Sequence, residues 1–357
     1  MEPGIRLKAR YSKADIRRKV WDYLEKKDLA DYPRPVHHRI PNFKGASHAC
    51  ENLLSMKEFS LARTVKINPD SPQKNARFLA LEANKILLVP TPRLRHGLFN
   101  RITPPSRAGK NLLRICSTPQ GVKEYSEPVG LDDSLKVDMV IVGSVAVSEK
   151  GWRIGKGEGY ADLEYAMMAT IGAVTKHTVV VSVVHDCQVL DFPEKLLGDH
   201  DLTVDYILTP TRILKTNCTR PKPQGIIWSM LTWEMMCEMP ILKKLHGREK
   251  IAGKNTRLKS DRALRFDDPD SDSGDVSTLY IGNIPPTTRL GEFKEILQDR
   301  GAPALQVNWQ IAYQRAFLIY PDPRQAREAL RSLKGLIIST TPLWVNMARP
   351  RQSKEAD

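Results

Sequence analysis

Between positions 153 and 162 the chain reads Arg153-Ile154-Gly155-Lys156-Gly157-Glu158-Gly159-Tyr160-Ala161-Asp162. Glycine at every second position lets a backbone bend tightly and bring N–H groups close to an anion. A helix starting just beyond such a loop adds its positive end to the same place, and Lys156 adds a full charge. This composition suits the holding of a phosphate, and it equally suits a purely structural turn. No Gly-Lys-Ser/Thr follows, so it is not a Walker A loop, and the spacing departs from the dinucleotide fingerprint.

A second set of residues lies near the C-terminus, in Leu279-Tyr280-Ile281-Gly282-Asn283-Ile284 and Ala316-Phe317-Leu318-Ile319-Tyr320. Alternate residues of a strand share a face. Phe317 and Arg315 can therefore share one face of their strand, where a ring and a guanidinium can meet a flat or anionic partner. Trp309 and Arg349 are expected to add contacts. The competing expectation is a face that binds protein, or one covered by the chain's own tail.

Other combinations carry less. His37-His38 lacks acidic or cysteine partners at metal-binding spacing and reads as a packed loop pair. His185-Asp186-Cys187 mimics a catalytic arrangement, but strand neighbours point to opposite faces, so Cys187 is not expected to act as a nucleophile.

The elements that position these residues fall into two units. In the first, Ser12 is expected to cap a helix whose Ile16, Val20, Tyr23 and Leu24 recur at helical spacing. Apolar runs at 86–89, 138–142 and 179–184 suit parallel strands covered on both faces. The glycine loop lies between a strand ending near Val147 and a helix from Leu163 to Ala173, and a last amphipathic segment covers 228–245. This is a layered α/β domain, expected over 1–246. Residues 247–276 are polar and end in an acidic run, which predicts a disordered acidic linker. Residues 277–350 read β-α-β-β-α-β, the ferredoxin-like order, with helices at 290–299 and 323–333 and a last strand at 343–347.

The loop, together with two further stretches, resembles the 5-formyltetrahydrofolate cyclo-ligase family, whose members carry Arg-Leu-Gly-x-Gly-x-Gly-Tyr-Tyr-Asp. Lys13-Ala14-Asp15-Ile16-Arg17 is similar to the family's N-terminal Lys-x-x-Leu-Arg. Gln188, Pro193 and His200-Asp201-Leu202-Thr203-Val204-Asp205 are similar to its C-terminal segment. The resemblance covers about residues 12–215 and implies a layered NagB/RpiA/CoA transferase-like fold. It implies that Lys13, Arg17, Gly155, Lys156, Gly157, Gly159 and Tyr160 hold nucleotide phosphates, and that Asp162 and Asp201 hold Mg²⁺. Asp162 is equally a candidate helix N-cap.

The implied reaction uses ATP to phosphorylate the formyl oxygen of 5-formyltetrahydrofolate, after which ring closure gives 5,10-methenyltetrahydrofolate. Three positions depart from the family pattern. Glu158 brings a negative charge into the loop, Ala161 replaces the second tyrosine, and Asp70-Ser71-Pro72-Gln73 stands where the family has a substrate-contacting glutamate. The C-terminal unit in turn resembles the RNA recognition motif. Tyr280 and Phe317 match its stacking positions, while Arg315 stands at a third aromatic position, Tyr313 at a basic one and Gln314 at a glycine.

Composition bounds the rest. The chain has 357 residues and a formal net charge of +14. There are 37 basic against 27 acidic residues in 1–246, and 9 against 5 in 277–350. Such an excess favours polyanions, among them RNA and phosphorylated cofactors. Five scattered cysteines without CxxC spacing point to a reducing compartment, with neither disulfide framework nor structural zinc. No membrane span or secretory signal is expected, so the protein is read as intracellular, cytoplasmic or nuclear.

The sequence thus describes a cyclo-ligase-like α/β domain followed by an RNA-binding ferredoxin-like domain. The expected partner is single-stranded RNA, with residual folate or nucleotide binding and no catalysis in the large domain. A working ATP- and Mg²⁺-dependent cyclo-ligase is the alternative, and a protein-binding adaptor the second alternative.

Overall fold

The computed structural model describes residues 5–8, 10–91, 97–232, 235–236, 239–259 and 277–348. The chain divides into two units, Met1–Met230 with Glu238–Thr256 and Leu231–Cys237 with Arg257–Asp357.

The large unit is built on strands β1 (Thr64–Ile67), β2 (Ile86–Pro90), β3 (Phe99–Ile102), β4 (Ser126–Val129) and β5 (Met139–Gly143). The short pair β6 (Ala146–Val147) and β7 (Arg153–Ile154) follows, then β8 (Val179–Val183), β9 (Tyr206–Leu208) and β10 (Ile213–Lys215). The main sheet runs β10-β9-β8-β5-β1-β2-β3-β4. Its centre, from β9 to β2, is parallel, and β10, β3 and β4 are antiparallel additions at the edges. Every residue of β5 is buried, as a parallel strand covered on both faces requires.

On one side Val65, Ile67, Ile141 and Val181 pack with Phe43, Phe59 and Leu79. In a second cluster the helix Lys13–Lys26 sets Ile16, Val20, Trp21 and Leu24 against Val145, Ile154 and Phe192. Full burial of such side chains contributes about 1.5–3 kcal/mol each. Trp21 occupies the inner helical face where Tyr23 was expected, and Tyr23 is only half-buried. Ser12 caps this helix, accepting from Asp15 N while the Asp15 carboxylate accepts from Ser12 N.

Strand β1 is the element the sequence pattern hides. Lys66 interrupts its apolar run, yet it is 1% exposed. Its Nζ donates to Asn68 Oδ1 at 2.8 Å and to Glu164 Oε2 at 2.5 Å. A buried charge placed this way is tolerated because it is paired and hydrogen-bonded.

The end of the large unit differs from expectation. The segment read as one amphipathic stretch contains a 3-10 turn, Trp228–Met230, and a helix, Pro240–Ile251, with proline at its first position. That helix runs past Gly247, and Trp228 Nε1 donates to the buried Glu249 at 2.7 Å. Residues 247–259, expected as the start of the linker, are thus helix and ordered turn, with Leu258 buried. Residues 260–276, which hold the acidic run, lie outside the described residues.

The second unit comprises β11 (Thr278–Gly282), a helix Leu290–Asp299, β12 (Gln306–Gln310), β13 (Arg315–Ile319) and a helix Pro323–Leu333. The small pair β14 (Ile337–Ile338) and β15 (Thr341–Pro342) precedes the last strand, β16 (Trp344–Met347). The sheet is antiparallel in the order β12-β13-β11-β16, the ferredoxin-like arrangement. Leu279, Ile281, Ala316 and Leu318 meet Phe293, Leu297, Ala326 and Leu333 on one face, so the opposite face carries Tyr280, Phe317 and Arg315. The fold is a layered α/β domain followed by an α+β domain. Among the described residues no helix is long and apolar enough to cross a membrane.

Candidate functional site

Strand β1 lies between β5 and β2, so the chain winds away from it in both directions. Ligands of open α/β sheets bind where the order reverses, beyond the C-terminal ends of the strands. A cavity of about 410 Å³ opens there. Asn68 and Asp70 follow β1, Thr91 follows β2 and Gly143 ends β5; all four line it. The glycine loop forms another wall, and Lys13, Arg17 and Asp201 complete the enclosure. Every large-unit site residue read from the sequence therefore lines one cavity.

Local geometry explains the loop. Gly157 has φ +107° and Gly159 φ +73°, backbone states that favour glycine. A Cβ at Gly155 would come 2.9 Å from Arg153 Nη2. Gly159 is the N-cap of the helix Tyr160–Thr170, so the alternative of Asp162 as N-cap falls. Asp162 sits in the first turn, where an acidic group complements the helix dipole.

Lys13 and Arg17 reach the cavity from one face of the first helix. Lys13 Nζ bonds Asp201 Oδ2 at 2.5 Å, and Arg17 Nε donates to Gly155 O at 2.6 Å. Burial draws the Arg17 pKa down, opposed by Asp201 and Asp162. Lys156 Nζ is 2.8 Å from Glu158 Oε2.

The two aspartates expected as Mg²⁺ ligands have other partners. Asp162 Oδ1 accepts from Arg153 Nη1 at 2.8 Å and Leu202 N at 3.0 Å. Asp201 Oδ2 accepts from Lys13 and, at 2.7 Å, from Gly198 N. Mg²⁺ demands near-octahedral oxygen coordination. One oxygen of each aspartate is paired to a cation of the chain, Asp162 to Arg153 and Asp201 to Lys13. Among the described residues no group of three or more His, Cys, Asp or Glu is placed to hold a metal ion.

Sequence reasoning gave no site role to Arg153, Glu164 or Asp70, although Arg153 stands in the loop and Asp70 in the stretch that departs from the family pattern. Arg153, 3% exposed, ties Asp162 to the Gly143 carbonyl. Glu164 is the wall residue that answers Lys66. Asp70 lines the cavity, and burial raises its pKa against the pull of Lys156. Gln73 is fully buried, and its amide atoms have no hydrogen-bond partner among the described residues. The signal that would have marked Asp70 as a wall residue is its position just after β1, which was itself hidden.

In the second unit Tyr280 and Phe317 are register partners with ring centroids 5.5 Å apart, edge to face. Arg315 is fixed by donating Nε to Gln310 Oε1 at 2.7 Å, and its guanidinium lies 5.9 Å from the Phe317 centroid. These three residues stand together as the pattern predicts. Trp309 does not join them: it pairs with the buried Ala316 and packs on Phe293 at 4.9 Å, on the helix-covered face. Arg349 lies outside the described residues.

The minor combinations are structural. His37 and His38 lean on Trp21 at 5.9 and 5.3 Å. His185 Nδ1 accepts from Cys187 N in a 3-10 turn rather than a strand. Burial pushes the Cys187 thiol up to about 12, which removes the thiolate a nucleophile needs.

The 5-formyltetrahydrofolate cyclo-ligase family matches residues 9–210. The methenyltetrahydrofolate synthase domain-containing protein of Bos taurus is 54% identical over 99% of this chain and 95% of its own. Among solved structures, 5,10-methenyltetrahydrofolate synthetase of Aquifex aeolicus is 20% identical over 58% of this chain and 95% of that one, with a TM-score of 0.38. An RNA binding domain in a methenyltetrahydrofolate synthetase domain-containing protein is 33% identical over 25% of this chain and 93% of that one, with a TM-score of 0.23. The chain belongs to the 5-formyltetrahydrofolate cyclo-ligase family.

Proposed function

We propose that the chain binds single-stranded RNA on the open face of its C-terminal sheet, through Tyr280, Phe317 and Arg315. The observation that carries this is the paired rings of Tyr280 and Phe317 on the sheet face opposite the two helices of this unit, with a fixed guanidinium beside them. Unpaired bases lie flat on such rings, and each stack is worth roughly 1–3 kcal/mol. The test is titration of the full chain with labelled single-stranded RNA, comparing the parent with Tyr280→Ala combined with Phe317→Ala. Loss of binding with an unchanged melting temperature is expected. Equal affinity would sink the assignment.

In this proposal the large unit holds a phosphorylated ligand without turning it over. Lys156 is paired with Glu158, and Asp162 and Asp201 are paired with Arg153 and Lys13. The second reading, an ATP- and Mg²⁺-dependent cyclo-ligase, is favoured by the convergence of Lys13, Arg17 and the glycine loop on one cavity. Absorbance of methenyltetrahydrofolate distinguishes the two when the protein is mixed with 5-formyltetrahydrofolate, ATP and Mg²⁺. Turnover that disappears in Lys13→Ala would make the second reading correct. No turnover from protein that still binds ATP would support the first.

A further inference from the structure

The open sheet face extends beyond the central pair of rings. Antiparallel partners share a face, and β16 pairs with β11 so that Asn346 opposes Tyr280 and Trp344 opposes Gly282. Trp344 therefore stands on the same face as Tyr280, one strand further out. It is 60% exposed, which is unusual for the largest apolar side chain in a strand whose neighbour Leu343 is buried.

Gly282 leaves room beside it. A Cβ at that position would come 2.7 Å from Tyr280 Oη and 2.9 Å from its ring edge, so the Tyr280 ring lies over the bare glycine. Arg315 occupies the next position of the same row, since Gly282 also opposes Arg315. Trp344 and Arg315 thus flank the space over which Tyr280 lies.

Charge separates a nucleic-acid partner from an acid-binding or apolar one. In residues 277–348 the acidic side chains are Glu292, Glu295, Asp299, Asp322 and Glu328. All five belong to the two helices or to the cap that begins the second. Among the described residues the open face carries one charge, that of Arg315, among the amides Asn308, Gln310 and Asn346. Rings, amides and a single cation with no carboxylate match bases and a phosphate chain.

We infer that Trp344 is a third base-stacking platform, extending the path from Phe317 and Tyr280 to the β16 edge so that the sheet takes three consecutive unpaired nucleotides. This rests on the RNA reading of the same face proposed above.

The experiment measures affinity of the full chain for labelled hexauridylate, in the parent and in Trp344→Ala, Trp344→Phe, Trp344→Leu and Tyr280→Ala with Phe317→Ala. Loss of one stack predicts binding about 5- to 150-fold weaker in Trp344→Ala. Phenylalanine should restore most of it and leucine little, while melting temperatures stay at the parent value because the side chain is exposed. Leucine matching phenylalanine would overturn stacking in favour of an apolar contact. Trp344→Ala binding like the parent while the double variant loses RNA would overturn this inference and leave the RNA reading standing. If Trp344→Ala and the double variant both bind like the parent, or the parent binds no RNA, the inference and the RNA reading fall together.

Discussion

Lys156 Nζ lies 2.8 Å from Glu158 Oε2, across the single residue Gly157 of the same loop. The loop therefore carries its own counter-ion beside its cation. Arg17 contrasts with it, because its Nε donates to a carbonyl, that of Gly155, rather than to a carboxylate.

Removing the counter-ion should release Lys156. Glu158→Gln is expected to tighten ATP binding by about fivefold at low salt, the scale of one partly exposed ion pair, with the gain shrinking as salt rises. Lys156→Ala should change affinity little in the parent and reverse the gain in Glu158→Gln. Calorimetric titration of the four proteins checks this, and additive effects would show that the pair does not control the loop.

Arg153 is the joint between the end of β5 and the helix after the loop. Its side chain is 3% exposed, and it bonds both Asp162 and the Gly143 carbonyl. Arg153→Met should destabilise the chain by about 3 kcal/mol, because it strands a partly buried carboxylate. Adding Asp162→Asn should recover roughly 1 kcal/mol, since the stranded charge is removed. Urea unfolding with an unchanged slope reads both values. No recovery would mean the Gly143 contact dominates.

The large unit's site was legible where glycine spacing fixes a backbone, and illegible where a wall depends on tertiary order. The loop and the Lys13–Arg17 face could be read because both are local patterns. Strand β1 could not, because Lys66 breaks its apolar run and only Glu164, 98 residues on, explains why a lysine is buried there. Without β1 the reversal of strand order is invisible, and Asp70-Ser71-Pro72-Gln73 reads only as a departure from the family pattern. In the small unit both helices were read to their ends, but Trp309 was given the wrong face. Its partner Ala316 faces the core, and only register with β13 decides that. Trp344 was missed for the same reason.

Asp70 gives a pH signature. Burial raises its pKa above the ordinary 3.8, so the folded chain holds this proton more tightly than the unfolded one. Its contribution is then most favourable below the unfolded value and is lost as pH rises through the folded one. Asp70→Asn should accordingly raise the melting temperature at pH 7, with the difference from the parent closing towards pH 4. Thermal melts at the two pH values check it. A variant less stable at pH 7 would show that the carboxylate is held by a favourable contact rather than at a cost.

Gly282 offers a way to move one ring without removing it. Alanine adds a Cβ whose nearest obstacles belong to the far end of the Tyr280 side chain, so the ring swings aside and the backbone stays. A strand interior also accepts alanine more readily than glycine. Stability should stay within about 0.5 kcal/mol of the parent, while affinity for single-stranded RNA falls roughly fivefold as the Tyr280 stack loosens. Thermal melting and RNA titration on the same sample separate the two effects. Unchanged RNA affinity would show that the position of the Tyr280 ring does not govern binding, and the contact would then have to be assigned elsewhere on the face. A loss in Gly282→Ala as large as that in Tyr280→Ala would show that stacking requires the ring to lie flat over β11.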